Sequence, residues 1–410
     1  MVFGLLASAA VAHGQWVSTS GFYADMVFSL TESGSTLLAG TDACGVFGSQ
    51  NGSSWSAMNT GLTDTMTIWS LAAKDHNVFA GTKQYGVYFS TNSGISWKAA
   101  STGLPSGSTV VALMLNGNTM YAGLEGGGVY CTTNNGTSWT KISTGLPEYV
   151  TIWSFAVIGT RLFAGGEDGY LYVTTDNGAS WSLTSTTPFF GVLQALAVVG
   201  QTLVAGTWGD GVHVSYDFGA TWETASTNLP TVFVNTLLVH GSSLIAGTDG
   251  GGIVASTDLG ANWYDVSDGL DNLFIGALLI SGQYIYAGTL GEGVWRRPLN
   301  EVVTGIEEPM PVSQSVSLFP NPASTHCTVR FGSQHSGPVH VSIRNLLGEV
   351  VLDRVYESAG SSVTVPTANI APGLYMVVAQ AGSENRTMRL IVRLYMVVAQ
   401  AGSENRTMRL

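Results

Sequence analysis

The dipeptide Ala-Gly recurs along this chain with its alanine at positions 39, 80, 122, 164, 205, 246 and 287, in steps of 41 or 42 residues. No other feature constrains the fold as strongly, because a fixed period means one supersecondary unit copied and stacked. Two further markers keep the same beat. A glycine precedes a strand-like residue at Gly45, Gly86, Gly128, Gly169, Gly211, Gly252 and Gly293. A pattern ending in tryptophan runs from Ser90 to Trp97, Thr132 to Trp139, Thr174 to Trp181, Ser215 to Trp222 and Ser256 to Trp263, with Gly48 to Trp55 a degenerate sixth. Written out, it is Ser/Thr-x-Asp/Asn-x-Gly-x-x-Trp.

Each unit reads as four short strands. In the sixth, Val234 to Val239 is the first strand, His240 to Ser243 turns, and Leu244 to Gly247, Ile253 to Ser256 and Trp263 to Val266 complete the set. Four strands in 41 to 42 residues make a β-propeller blade, and seven copies predict an all-β, seven-bladed propeller over residues 15–300. The last unit stops after Gly293-Val-Trp-Arg-Arg-Pro298, with no tryptophan pattern and no fourth strand. Trp16-Val-Ser-Thr-Ser-Gly21 matches Trp139-Thr-Lys-Ile-Ser-Thr-Gly145, so the segment from Trp16 is expected to supply the missing outer strand and close the ring.

Composition agrees with a turn-rich β chain: 52 of 410 residues are glycine, 45% are apolar and only 10% are charged. Helical bundles need faces rich in Lys, Glu and Arg, and disorder needs fewer apolar residues, so both classes are excluded. Charge is lopsided. Residues 1–300 hold 7 basic and 19 acidic groups, whereas residues 301–410 hold 8 arginines against 8 acids. Nucleic acid binding needs a basic stripe that displaces condensed counterions, and anionic membranes ask for the same, so neither suits the N-terminal region. Cys44, Cys131 and Cys327 have no metal-ligand spacing and the histidines form no HExxH arrangement, so neither a metal nor a cofactor is expected. Val2 to Ala12 is an apolar run followed by small-x-small cleavage options, which reads as a secretory signal peptide over residues 1–14, without its basic start as if truncated. The alternative is a hydrophobic first strand. No other stretch is long and apolar enough to span a membrane.

The tryptophan pattern has a sufficient structural reading. The side chain of Asn92, Asn134, Asp176, Asp217 or Asp258 accepts N–H groups across a turn, the glycine supplies a left-handed residue, and Trp97, Trp139, Trp181, Trp222 or Trp263 plugs the hairpin onto its own sheet. Acid and amide exchange here, with Gln50 at the same place in the degenerate copy; a cap tolerates that and a proton-transfer site does not. On these residues the region 15–300 resembles the Asp-box propellers, a superfamily of sialidases, xyloglucan-cleaving glycosidases, sortilin-type receptors and photosystem assembly factors. The resemblance implies the fold and leaves function open, since catalytic and non-catalytic members share the box. A sialidase of that family converges three arginines on a carboxylate. This ring holds only Arg161, Arg296 and Arg297, the last two adjacent on one strand and aimed to opposite faces, which disfavours that activity.

A neutral-glycan hydrolase needs only two carboxylates about 5 to 9.5 Å apart. With strands lettered A to D from the axis outward, the B–C and D–A loops share one face and the boxes lie on the other. Asp42, Glu125, Glu167, Asp168, Asp210, Asp249 and Glu292 all fall in B–C loops, and Glu125, Glu167, Asp168 and Asp210 are the candidate acid and base. The start of strand A varies, as Phe28, Trp69, Val111, Trp153, Gln194, Asn235 and Gly276, beside a uniform row expected to be core, Leu30, Leu71, Leu113, Phe155, Leu196, Leu237 and Leu278. Trp69, Trp153 and Trp208 are therefore candidates, with Glu125, Glu167 and Asp210, for holding a sugar by stacking and hydroxyl hydrogen bonds. Packing between blades is the structural alternative. The xyloglucan-cleaving members typically pair two propellers around a cleft, and this chain has one, which weighs for binding over hydrolysis.

Beyond Asn300 the sequence changes character. Residues 301–314 have acids and prolines without periodicity and read as a linker. Short strands follow over residues 315–392, among them Val339 to Asn345 and Gly373 to Ala379, suiting an Ig-like β-sandwich. Phe319-Pro-Asn-Pro322, Val341 to Asn345 followed by Leu347-Gly348, and Pro372 to Val377 resemble the type A C-terminal sorting domain of the type IX secretion system of Bacteroidota; Pro320, Asn321, Pro322, Gly348, Gly373 and Tyr375 are its motif residues. The resemblance implies Sec export, then passage of the outer membrane with the type IX machinery as partner. Residues 374–390 recur unchanged as 394–410, so 393–410 is a recent duplicate or an artefact, expected to be disordered or to compete with the first copy.

The chain is thus expected to be secreted or displayed at the outer-membrane surface, its propeller binding a glycan or protein without catalysis through the acidic, aromatic B–C/D–A face. A glycoside hydrolase acting on a neutral polysaccharide is the runner-up, and a structural surface protein the third reading.

Overall fold

The computed structural model describes residues 15–22, 25–63, 65–303, 317–319, 325–335, 338–344, 350–357, 360–371, 373–381, 384–392, 397–401 and 404–408. The expected signal peptide and the motif residues Pro320, Asn321, Pro322 and Gly348 lie outside them. The chain divides into two units after Glu307.

The first unit is the expected seven-bladed propeller, seven antiparallel sheets of four strands each. Blade 1 comprises Val27–Ser33, Thr36–Thr41, Val46–Ser49 and Ser56–Ala57 as strands A to D. In blade 6, Val234–His240, Ser243–Thr248 and Ile253–Ser256 are followed by an outer strand of two residues, Tyr264–Asp265. Blade 7 is built from Ile275–Ser281, Tyr284–Thr289 and Val294–Pro298, and its fourth strand is Val17–Ser18, with Val17 opposite Arg296 and Ser18 opposite Trp295.

The recurrence of Ala-Gly has its reason at the inner seam between blades. A Cβ on Gly40 would come within 2.7 Å of Ile68 Cγ2 in the next blade; on Gly206, 2.7 Å from Val234 Cγ1; on Gly247, 2.6 Å from Ile275 Cγ2. The glycine is a notch for an apolar side chain of the following strand A, and each of those side chains is fully buried. On Gly288 of blade 7 the same Cβ would meet Val27 Cγ1 of blade 1 at 2.5 Å, so the last seam repeats the others.

The outer seam belongs to the tryptophans. Trp97, Trp139, Trp181 and Trp263 donate their indole N–H to the carbonyls of Met58, Ala100, Ile142 and Ala225, at 2.6 to 2.9 Å. Their main-chain N–H groups donate to Thr60, Thr102, Thr144 and Thr227 at 2.8 to 3.2 Å. These acceptors belong to the preceding blade, so the expectation that each tryptophan plugs its own sheet is corrected: it staples two blades together. The reason is the shortness of strand D, which leaves the carbonyls beyond it without ladder partners until the next tryptophan arrives. Trp16 continues the series, its indole N–H 2.7 Å from the Val266 carbonyl and its main-chain N–H 2.9 Å from that of Asp268. Two members depart. Among the described residues the buried indole N–H of Trp55 meets no acceptor, and that of Trp222 turns to Gly219 within its own box at 3.1 Å.

The boxes themselves are hydrogen-bonded turns. Ser90, Thr132, Thr174, Ser215 and Ser256 accept the N–H of the box glycine at 2.7 to 3.1 Å and donate to Oδ1 of Asn92, Asn134, Asp176, Asp217 and Asp258 at 2.6 to 2.9 Å. Each Oδ1 also accepts the N–H four residues on, at 2.8 to 3.0 Å. In the degenerate copy the expected Gln50 is replaced in this role by Asn51, which accepts from Ser53 and Ser54 at 2.9 and 3.0 Å; that turn is one residue shorter, and Gln50 donates to Thr36 instead. Such donors favour the ionised acid. The hydroxyls of Thr174 and Ser180 hold Asp176 down at about 2, and Thr221 lowers Asp217. At Asp258 burial pushes upward, yet Asn262 and Ser256 keep it lowered.

A short helix, Leu299–Val303, follows the last strand and corrects the expected linker, which was to begin at residue 301. Leu299 and Val302 are buried in one cluster with Trp16, Ile275 and Trp295, and Arg297 reaches Glu301 at 3.5 Å, so apolar burial holds this turn on the propeller.

The second unit has a three-stranded sheet of Ser317–Phe319, His326–His335 and Gly360–Pro366, and a four-stranded sheet ordered Val350–Tyr356, Val339–Arg344, Gly373–Ala381 and Glu384–Val392. Alternate residues of both sheets, including Cys327, Val329, Val363, Val365, Val341, Ile343 and Val377, form one buried core, as a sandwich requires. Tyr375 is buried in it and donates its hydroxyl to the Ala371 carbonyl at 3.0 Å. The duplicate, expected to be disordered or to compete, forms its own hairpin of Val397–Ala401 and Glu404–Met408, paired with no other described strand. Its sequence repeats both strands and the turn between them, so it is able to pair with itself.

Two outcomes follow from the staples and caps. Trp16→Ala should destabilise the full chain by about 3 kcal/mol or more, and Trp16→Phe by less, in chemical denaturation. Because Asp176, Asp217 and Asp258 titrate below their unfolded value near ~3.9, the stabilisation they contribute is complete above about pH 4 and is lost as pH falls toward about 2. The triple Asp→Asn variant should keep the fold, as Asn92 and Asn134 already do, and flatten this acid limb in unfolding midpoints measured from about pH 2 to 5.

Candidate functional site

The face opposite the boxes is a ring of loops tied to one another through their main chains. The Glu125 and Glu167 N–H groups donate to the carbonyls of Thr109 and Thr151, and the Gly126 N–H to the Thr151 hydroxyl at 2.9 Å. Phe189 N–H donates to the Gly169 carbonyl at 2.9 Å, and Gly209 N–H to that of Val232 at 3.1 Å. Glu125 and Glu167 thereby tie their B–C loops to the D–A loop leading into the same blade, whereas Gly126, Gly169 and Gly209 tie theirs to the D–A loop leading into the next one. In five blades a strand-B threonine, Thr41, Thr82, Thr207, Thr248 or Thr289, closes the B–C turn by donating to the carbonyl of the marker glycine at 2.8 to 3.1 Å.

Every strand A is irregular at one place. The register shifts between Val27 and Ser29, Ile68 and Ser70, Val110 and Ala112, Ile152 and Ser154, Leu193 and Ala195, Val234 and Thr236, and Ile275 and Ala277. The residue inside each shift is the variable one of the sequence: Phe28, Trp69, Val111, Trp153, Gln194, Asn235 or Gly276. A bulge re-aims its side chain, and three of the seven, all aromatic, meet one another. Phe28 stacks on Trp69 with centroids 4.4 Å apart, and Trp69 meets Trp153 edge-on at 6.1 Å although blade 3 lies between their blades. The expectation that Trp69 and Trp153 present open faces to a sugar is therefore corrected. Their rings pack on one another, a contact worth about 1 kcal/mol beyond burial, and both indole N–H groups are buried without a protein acceptor. Leu30, Leu71, Leu113, Phe155, Leu196 and Leu237, expected as core, are only partly buried, because strand A borders the axis; Leu278 alone of that row is buried. Trp208 lies apart from the trio, packed against Phe233 at 4.8 Å.

The four candidate acids stand in the B–C loops of blades 3, 4 and 5, and two of them are already engaged. Asp168 accepts the Tyr172 hydroxyl at 2.5 Å and the Tyr170 N–H at 3.2 Å. Burial first, then Asp168, pushes the Tyr172 phenol far up. Asp210 accepts the Phe190 N–H at 3.4 Å and lies 3.2 Å from Nε2 of His213, which packs under Phe189 at 4.9 Å. This Asp210–His213 contact was missed in the sequence, where His213 reads as an ordinary strand residue; the three-residue spacing across the B–C turn was its only signal. Glu125 and Glu167 are exposed in the loops of different blades. Two open concavities of about 330 and 340 Å³ lie beside Lys141 to Glu148 and around Gln50 and Met58, and neither is lined by the candidate tryptophans or acids. Cys44 donates to Asp25 at 3.2 Å and is pushed up to about 11, first by burial and then by that carboxylate, so it stays protonated at neutral pH. The three ring arginines are occupied separately: Arg161 over the Phe218 ring, Arg296 over Tyr284, and buried Arg297 on the Val266 carbonyl.

Exposed apolar side chains of this face are Met26, Tyr85, Tyr149, Phe190, Leu273 and Phe274. Its described loops hold ten acids, Asp25, Asp42, Glu125, Glu148, Glu167, Asp168, Asp210, Asp249, Asp271 and Glu292, against one base, Lys83. Among the described residues no helix is long and apolar enough to cross a membrane.

Known proteins share parts of this architecture. Residues 104–246 match the DUF6242 beta propeller domain, and residues 317–393 match the secretion system C-terminal sorting domain. No curated protein matches the chain. PorZ, a bacterial surface component of the type-IX secretion system of Porphyromonas gingivalis, aligns over 92% of this chain and 60% of its own length, with a TM-score of 0.50 and 13% identity. YCF48 from Cyanidioschyzon merolae aligns over 70% of this chain and 100% of its own, at 0.54 and 15%; a YCF48 bound to D1 peptide gives 0.55 and 14%, over 70% and 97%. The Niastella koreensis GH74 enzyme aligns over 68% of this chain and 43% of its own, at 0.51 and 19%. This chain therefore spans less than two thirds of PorZ and of the GH74 enzyme, and at these identities the likeness is one of fold. The sorting domain is specific: the chain is a seven-bladed β-propeller with a C-terminal domain of the type IX secretion sorting family, which sends it to the cell surface or into the medium.

Proposed function

We propose that the propeller is a non-enzymatic binding module, displayed or released by the type IX route, that holds a glycan or protein ligand on its B–C/D–A face. The observation that supports this reading is the set of exposed apolar side chains and acids carried by loops whose main chains are cross-linked into one surface. YCF48, of the same fold, is bound to a D1 peptide, so such a ring serves recognition in at least one relative. In this reading residues 1–14 act as the Sec signal and the host belongs to the Bacteroidota. Trp208, Glu125, Glu167 and Asp210 remain the ligand contacts proposed on the rim, while Trp69 and Trp153 shape the axis beneath them.

Hydrolysis of a neutral polysaccharide is the second reading, favoured by the exposed carboxylates of Glu125 and Glu167. The test incubates the full chain with plant and microbial polysaccharides and measures both retention and release of reducing ends. Retention without release is the expected outcome. Release of new reducing ends that disappears in Glu167→Gln or Asp210→Asn would establish a hydrolase and end the binding-only reading.

A further inference from the structure

Blade 4 leaves its outer strand by a turn unlike those of blades 1, 2, 3, 5 and 6. Those five leave strand D through a Gly-Leu or Asn-Leu turn, at Gly61-Leu62, Gly103-Leu104, Gly145-Leu146, Asn228-Leu229 and Gly269-Leu270, whereas blade 4 leaves through Thr184 to Gly191 with Pro188-Phe189-Phe190 at its tip. The consequences are structural. Phe189 inserts against His213 and, at 5.0 Å, against Trp222, the box tryptophan whose indole N–H has left the preceding blade. Phe190 is left 74% exposed. Where a repeat departs from its own rule, function is the usual reason.

Around this seam the loops of blades 3 to 5 are joined through the Thr151, Gly169 and Asp210 hydrogen bonds into one continuous surface. It presents Tyr149, 78% exposed, and Phe190 as apolar points, with Glu125, Glu148, Glu167 and Asp210 beside them. Its loops, residues 124–128, 145–151, 166–170, 184–191, 208–211 and 228–233, contain no Lys, Arg or exposed His. Like charges collected without a cation repel one another. A neutral glycan would leave that repulsion untouched, whereas a cationic partner removes it while its apolar side chains cover the two aromatic rings.

Resting on the binding reading above, we infer that the blade 3–5 sector is the docking surface for a polypeptide segment in which Lys or Arg alternates with apolar residues. The rings supply contact area and the carboxylates supply orientation and on-rate.

The test titrates the full chain with a labelled synthetic peptide of alternating Arg and Leu, an alternating Glu and Leu control, and a neutral xyloglucan oligosaccharide, at about 0.05 and 0.5 M salt. The Arg peptide is expected to bind, at least tenfold more weakly at the higher salt, and the Glu peptide not to bind. Tyr149→Ala/Phe190→Ala and Glu125→Gln/Glu148→Gln/Glu167→Gln should each weaken it at least tenfold, with unfolding midpoints unchanged because these side chains lie at the surface. Glu32→Gln/Asp75→Asn/Glu292→Gln removes as much charge outside blades 3 to 5 and should leave the affinity unchanged. An equal loss in that control set would show attraction to net charge alone and overturn the inference. Salt-insensitive binding of the oligosaccharide without the peptide would overturn this partner while leaving the binding module standing. Binding of neither probe, with none on the polysaccharide panel, would end both.

Discussion

Every seam of this propeller has the same glycine notch near the axis, and five of the seven carry the full tryptophan staple at the circumference. Near the axis, a glycine of strand B gives up its Cβ so that a valine, isoleucine or leucine of the next blade can enter. At the circumference, a tryptophan satisfies two carbonyls left over by a two-residue outer strand. The first contact supplies apolar burial, at about 25 cal/mol per Å², and the second prevents buried acceptors from going unpaired. Closure adds no new chemistry. Gly288 receives Val27 and Trp16 reaches Val266 as their counterparts do elsewhere, so the first and last segments of the propeller meet through an ordinary seam.

With the seams so determined, the two faces are free to differ. The box face is self-capped, since Oδ1 of each Asp or Asn accepts a hydroxyl and a main-chain N–H of its own turn. Depressed carboxylates there report capping, and Asn fills the same hydrogen-bonding role in two of the boxes. The opposite face is built of loops whose main chains are tied while their side chains reach outward. That division of labour, a tied main chain below and exposed side chains such as Tyr149, Phe190, Glu125 and Glu167 above, is the arrangement that recognition requires.

Much of this was legible in the residues. The period of 41 to 42 residues, the alternation within each strand and the wholesale match of Trp16 with Trp139 specify blades, their number and the closing strand. The sandwich likewise shows in Val339 to Ile343, whose alternation places Val339, Val341 and Ile343 in the core. The site was less legible. Alignment of the repeats located a variable position at the start of strand A, but the bulge that re-aims it depends on pairing with strand B, and the contact of Trp69 with Trp153 crosses a whole blade. Asp168 looked like a free acid because its partner Tyr172 acquires meaning only once strand C returns beneath the loop.

The sequence by itself determined what is periodic and local: seven blades, capped turns, a buried stripe in every strand, and a C-terminal address for export. Only the tertiary structure decided which donor met which acceptor across a seam, whether an aromatic ring faced solvent or another ring, and which carboxylates were already engaged. The reason is one of range. A repeat unit encodes its own strands within about forty residues, whereas axis, seams and face are made by residues brought together from different units. Their partners are chosen by the geometry of the closed ring.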